Sequence, residues 1–124
     1  LTIKWSSEIL ENYTGIVEYL NGVKRWYLSG KLHRLDGPAI EYANGTKHWY
    51  QNGMLHRVDG PAIEYSNGDK HWFLNDKIHR VDGPAVEYAN GTKVWYLNGI
   101  YLPQEKWFER LSEEDKLKAI WNLR

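Results

Sequence analysis

Along most of this chain apolar and polar residues alternate in short stretches, and each stretch ends at a turn signal. Thr46–Gln51 reads as a short strand and Met54–Ser66 as a long one, with the period of two that sends successive side chains to opposite faces. Asn44-Gly45 precedes the short strand and Asn52-Gly53 follows it. A type I′ turn needs φ > 0 at both central residues, which Asn and Gly adopt most readily, so each dipeptide predicts a two-residue hairpin turn.

The pattern repeats every 23 residues. Trp recurs at Trp26, Trp49, Trp72 and Trp95, and Glu-Tyr ends at Tyr19, Tyr42, Tyr65 and Tyr88. Asn-Gly begins at Asn21, Asn44, Asn67 and Asn90, and a second turn follows each Trp at Ser29, Asn52, Asn75 and Asn98. His33-Arg34, His56-Arg57 and His79-Arg80 precede Asp36-Gly37-Pro38, Asp59-Gly60-Pro61 and Asp82-Gly83-Pro84. A single period held by so many columns is the signature of a repeat architecture. The expected fold is mostly β: an elongated, twisted antiparallel meander of four hairpin repeats, about eight strands, over residues 16–102.

Pairing across Asn44-Gly45 places Ile40 opposite Trp49 and Glu41 opposite His48; across Asn52-Gly53, Trp49 faces His56 and His48 faces Arg57. On this register the Trp and Glu-Tyr tyrosine columns share one face, and Tyr27, Tyr50, Phe73 and Tyr96 line the other. An odd period with two two-residue turns would flip equivalent residues between faces. A β-bulge at Asp-Gly-Pro, where Gly permits it and Pro has no N–H to pair, would restore the register.

The flanks break the pattern. Residues 1–15 predict an N-terminal cap, with an edge strand at Leu1–Trp5 and a helical turn at Ser6–Tyr13. Residues 103–124 predict a helical cap: one helix over Gln104–Leu111 with Trp107, Phe108 and Leu111 on one side, and a second begun by Ser112 and Asp115. Leu117, Ile120, Trp121 and Leu123 form the second helix's apolar stripe. Repeat arrays need such caps to bury their last row.

Composition narrows the function classes. Sixteen basic and sixteen acidic residues cancel, so no global field or polybasic run draws the chain to nucleic acid or a membrane surface. No apolar stretch is long enough to span a bilayer, and Leu1–Trp5 lacks the regions of a secretory signal. Together with the absence of cysteine, these features lead to the expectation of a cytoplasmic protein. Asn12, Asn44 and Asn90 match the N-glycosylation pattern but read as turn chemistry.

His33, His56 and His79 invite a metal reading, yet equivalent strands two spacings apart stand about 9.5 Å from each other. That is too far for two imidazoles to share a zinc ion, so no metal or cofactor is expected, and each His is read as stacking on its cross-strand Trp. Carboxylates recur once per repeat instead of converging as a unique pair, and no nucleophile elbow is present. No catalytic residue is expected, and the chain is read as a non-enzyme.

The arginines read chiefly as structural, each pairing with the Asp two residues on; Arg57 and Arg80 remain candidates for contacting a partner. Seven Trp and nine Tyr suit half-exposed surfaces, since each ring carries a polar handle. A one-layer sheet cannot bury both faces, so one aromatic row should stay accessible to a partner. The candidate rows are Trp26, Trp49, Trp72 and Trp95, and Tyr27, Tyr50, Phe73 and Tyr96.

The unit 37–57, Gly-Pro-Ala-Ile-Glu-Tyr-Ala-Asn-Gly-Thr-Lys-His-Trp-Tyr-Gln-Asn-Gly-Met-Leu-His-Arg, resembles the MORN-repeat group. It is closest to the variant of bacterial antitoxin-like, phage and giant-virus proteins, with Asp-Gly-Pro replacing the usual Gly-x-Gly. The resemblance implies an elongated antiparallel sheet acting as a protein-interaction scaffold. The expectation is a protein-binding module, such as a phage-encoded inhibitor or antitoxin-like protein acting in the host cytoplasm. The alternatives are a repeat that binds a glycan, choline or a nucleotide, and a structural part that assembles with neighbours or as a homodimer.

Overall fold

The computed structural model describes residues 2–3 and 11–122. It is mostly β, with a long meander in one 11-stranded sheet and a short helical segment at the C-terminal end. Most of the N-terminal region expected to form a cap, residues 1 and 4–10, lies outside the described residues, as does Leu123. Thr2–Ile3 (β1) is an edge strand, parallel to β2 (Gly15–Glu18).

β2 pairs with β3 (Lys24–Leu28), whose first half pairs with β5 (Ile40–Glu41) and whose second half pairs with β4 (Lys31–Leu32). The second repeat supplies β6 (Lys47–His48), β7 (Tyr50–Gln51), β8 (Met54–Leu55) and β9 (Ile63–Glu64). The third supplies β10 (Lys70–His71), β11 (Phe73–Leu74), β12 (Lys77–Ile78) and β13 (Val86–Glu87). β14 (Lys93–Leu97) and β15 (Ile100–Leu102) close the sheet, followed by α1 (Gln104–Glu109) and α2 (Glu113–Asn122).

Trp49 is where the chain changes ladders. Its N–H bonds Ala62 O in the main sheet and its carbonyl accepts from His56 N in the tip hairpin β7–β8. Trp72 does the same with Ala85 and His79. Successive tips are laced by Gly53 N to Leu32 O, Asp76 N to Leu55 O and Gly99 N to Ile78 O, each 2.8–2.9 Å.

The register differs from expectation at the first turn of each repeat. Tyr42 pairs with Thr46 around Ala43-Asn44-Gly45, Gly45 has φ +95°, and Asn44 is not in the left-handed region. This is a three-residue type I turn with a glycine bulge, not a two-residue type I′ turn. The Asn44 side chain selects it by accepting the Thr46 N–H at 2.9 Å. The second turns are type I′ as expected, with Asn52 and Gly53 both at positive φ.

Ile40 therefore faces His48, not Trp49, and Glu41 faces Lys47. His48 pairs next with Ile63 and Ile63 with His71, so equivalent residues share a face through pairing alone. Asp59-Gly60-Pro61 is accordingly not a register-restoring bulge. The expected long strand Met54–Ser66 is interrupted by a loop over 56–62, whose ends at His56, Arg57 and Ala62 still bond neighbouring backbone.

A single-layer sheet has a thin core on each side. Ala39, Ala62 and Ala85 are buried on the Trp face, and Ile40, Ile63 and Val86 on the other. The C-terminal segment adds a compact cluster of Leu102, Trp107, Leu111 and Ala119. Ser112 Oγ accepts the Asp115 N–H and starts α2 as expected. The apolar stripe expected on α2 points outward instead: Leu117, Ile120 and Trp121 are 70%, 52% and 70% exposed, while the small Ala119 is the residue it buries.

Candidate functional site

The two faces carry different chemistry. On the Trp face, Arg34, Arg57 and Arg80 lie over the rings of Trp26, Trp49 and Trp72, 3.9–4.0 Å from guanidinium carbon to ring centroid. Arg57 Nε donates to Asp59 Oδ1 at 3.2 Å, and its Nη1 donates to Pro61 O at 3.1 Å and Glu64 Oε2 at 3.0 Å. Arg34 and Arg80 repeat this set with Asp36, Pro38 and Glu41, and with Asp82, Pro84 and Glu87. The planar fork satisfies a carboxylate at each end while its face covers an indole, which Lys could not do.

This cluster explains Asp-Gly-Pro. Gly60 does not sit at positive φ; a Cβ there would stand 2.9 Å from Arg57 Cζ, so the glycine makes room for the guanidinium. Pro61 supplies the carbonyl that Arg57 bonds. Trp26, Trp49 and Trp72 are thus half-buried beneath arginines, and the candidate residues Arg57 and Arg80 are largely committed within the fold.

The histidines of the loop are clasps between repeats. His33, His56 and His79 accept through Nδ1 the backbone N–H of Asn52, Asn75 and Asn98, at 3.0, 3.1 and 2.9 Å. An accepting Nδ1 requires the neutral ring with its proton on Nε2. Burial lowers the His79 pKa, against an opposing pull from Asp115. Among the described residues, no three His, Cys, Asp or Glu side chains are grouped as a metal site.

Tyr50, Phe73 and Tyr96 lie on the opposite face from the Trp row, as expected, but Tyr42, Tyr65 and Tyr88 join them there instead of the tryptophans. The cause is the three-residue turn, which carries Tyr42 to the face of its neighbour His48. Rings run without a break from Tyr42 to His48 (5.1 Å), Tyr65 (6.4 Å), His71 (5.2 Å) and Tyr88 (6.2 Å), mostly edge to face. Tyr50 flanks His48 at 6.3 Å, and Tyr96 meets Tyr101 at 6.0 Å. Such contacts hold rings in fixed orientations.

Burial lowers the pKa of His48 and of His71, where Asp69 pulls the other way, and it raises that of Tyr50, helped by Tyr42 and Asp76. Burial thus favours the neutral form of both imidazoles. Its cation is Arg25 at the first repeat, stacked 5.1 Å over Tyr19; burial opposes that charge, and Tyr27 and Tyr19 more than offset it. Tyr65 and Tyr88 are the open rungs, 38% and 41% exposed.

The cap settles which face is covered at the C-terminal end. Eight residues after Trp26, Trp49 and Trp72 stands an arginine; eight after Trp95 stands Pro103. Trp95 is covered instead by Trp107, at 6.3 Å between ring centroids, and Trp107 is fully buried. The helices thus occupy the Trp face and do not cover the Tyr/His strip. His48, His71, Tyr42, Tyr65 and Tyr88 were not singled out as site residues; Asn44 bonding two residues on was the local cue to the turn that groups them.

No protein family, curated protein or solved structure matches this chain.

Proposed function

We propose that this chain is a non-enzymatic protein-binding module that meets its partner with the Tyr/His face. The observation that carries this reading is the unbroken ring strip from Tyr42 to Tyr88, on the face the cap leaves uncovered. Tyr presents a large amphipathic contact area with few rotatable bonds, so little entropy is lost when a partner covers it. The resemblance of the repeat to the antitoxin-like and phage variant of the MORN group favours an inhibitor that occupies a surface of a host protein.

A benzophenone side chain placed at Tyr65 or Tyr88 tests this in an extract of the cell of origin. Both positions should cross-link one stoichiometric protein, and the same group at Lys70 or Lys93, on the Trp face, should not. Equal labelling from both faces, or none from Tyr65 and Tyr88, overturns the proposal.

A further inference from the structure

The His-Arg-Leu/Val-Asp-Gly-Pro loop occurs three times with the same internal contacts, but among the described residues only the third copy is covered. Trp107 Nε1 donates to Arg80 O at 2.9 Å, and the Asn122 side-chain amide donates to Asp82 O at 2.9 Å. Val81 packs against the cluster of Leu102, Trp107, Leu111 and Ala119. The side chain of Asp82 is 45% exposed, against 89% for Asp36 and 87% for Asp59.

The first two copies offer the same features with no occupant among the described residues. Leu35 and Val58, the equivalents of Val81, are 75% and 82% exposed. Among the described residues, the carbonyls of Arg34, Asp36, Arg57 and Asp59 receive no hydrogen bond. Each loop is one wall of a cleft whose floor is the next tryptophan, of about 640 Å³ over Trp49 and about 580 Å³ over Trp72. Lys118 of α2 borders the second cleft, and beyond it α2 turns Leu117 and Trp121 outward.

We propose that the uncovered loops around Leu35 and Val58 dock an amphipathic helix of a partner protein, as the third loop docks the chain's own C-terminal helices. The occupant's chemistry follows from the covered copy. It carries apolar residues at helical spacing to cover Val58 and Leu35, and side-chain N–H donors of the indole or amide type for the free carbonyls. It does not need a ring to stack on Trp72, because Arg80 already holds that position. The interface continues from the one the cap makes with the third loop, with the outward stripe of α2 as its flank. This surface is on the opposite face from the Tyr/His strip, so it stands without the reading above.

The test pans a library of α-helical peptides, displayed on a folded scaffold, against the full chain. Enriched peptides should share apolar residues at i, i+3 or i+4 and i+7 with Trp, Asn or Gln among them. Their affinity should fall roughly tenfold or more in Val58→Asp or Leu35→Asp, at unchanged melting temperature, and stay constant in Tyr65→Ala. Enrichment that ignores both loop substitutions overturns the proposal, as does failure to enrich any helix above the Val58→Asp background. Self-association of the chain that disappears in Val58→Asp also overturns it, by assigning the surface to a second copy. Because Tyr65→Ala reads the other face, failure here is distinct from failure of the Tyr/His reading.

Discussion

Trp49 and Trp95 hold the same position in two copies of the repeat, yet one is covered by an arginine and the other by a tryptophan. Inside the array the covering group must also hold its loop, so it is a guanidinium tied to Asp59, Pro61 and Glu64. At the end there is no further repeat to lace to, and a fully buried indole closes the row. Interior repeats are thus held by a polar network that can be copied, whereas the terminus is held by apolar burial that cannot.

Removing the terminal cover should have the largest effect. Trp107→Ala should lower stability by about 3–5 kcal/mol in urea unfolding, while Leu117→Ala, at an exposed position, should stay within about 0.5 kcal/mol. Similar losses in the two variants would show that burial of Trp107 does not hold the terminus. Removing an interior cover should matter less: Arg57→Ala leaves Glu64 and the Trp49 ring without their guanidinium, at a cost of about 2 kcal/mol. Coupling to Trp49→Ala in a double-mutant cycle would assign part of that cost to the stacked pair.

Gly60→Ala sharpens the same point. Its Cβ would meet Arg57 at 2.9 Å, so it should cost about 1–2 kcal/mol alone and close to nothing in the Arg57→Ala background. An equal cost in both backgrounds would locate the strain in the backbone.

Three partly buried histidines predict a pH dependence. His48, His71 and His79 have folded-state pKa values lowered by burial, so on acidification the unfolded chain takes up protons before the folded one. Stability should be complete above about pH 6.5, the unperturbed histidine value, and fall as pH drops below it. Melting curves between pH 7.5 and 5.5 should record the decline, and His79→Asn, which keeps an acceptor near Nδ1, should flatten part of it. A decline unchanged in that variant would remove His79 from the account. The smallest effect belongs to Asp59→Asn, about 0.5 kcal/mol or less by thermal melting, because that carboxylate is solvated.

Much of the fold was legible in the chain. The 23-residue period, the type I′ turns after each Trp, the break at Pro103 and the Ser112 cap all rest on local chemistry that acts within a few residues. The pairing of faces was harder to read, because a two-residue and a three-residue turn both begin with Asn-Gly signals and differ by one residue of register. That one residue sends Tyr42 and Tyr65 to the other side of the sheet. The stripe of α2 was misread for a different reason. Its periodicity marks an apolar side but not whether the protein supplies anything to cover it, and here Ala119 gives closer approach than Leu117 would.

The amino-acid sequence by itself determined that this protein is a β-repeat with a helical end, because turn geometry and periodicity are local and recur with every copy. Only the tertiary structure decided what the repeated residues do. Arg57 and Gly60 are three residues apart, but their fit depends on Trp49 and Glu64, which the fold alone brings beside them. Likewise, the closing of the Trp row by Trp107 follows from where one short helix packs.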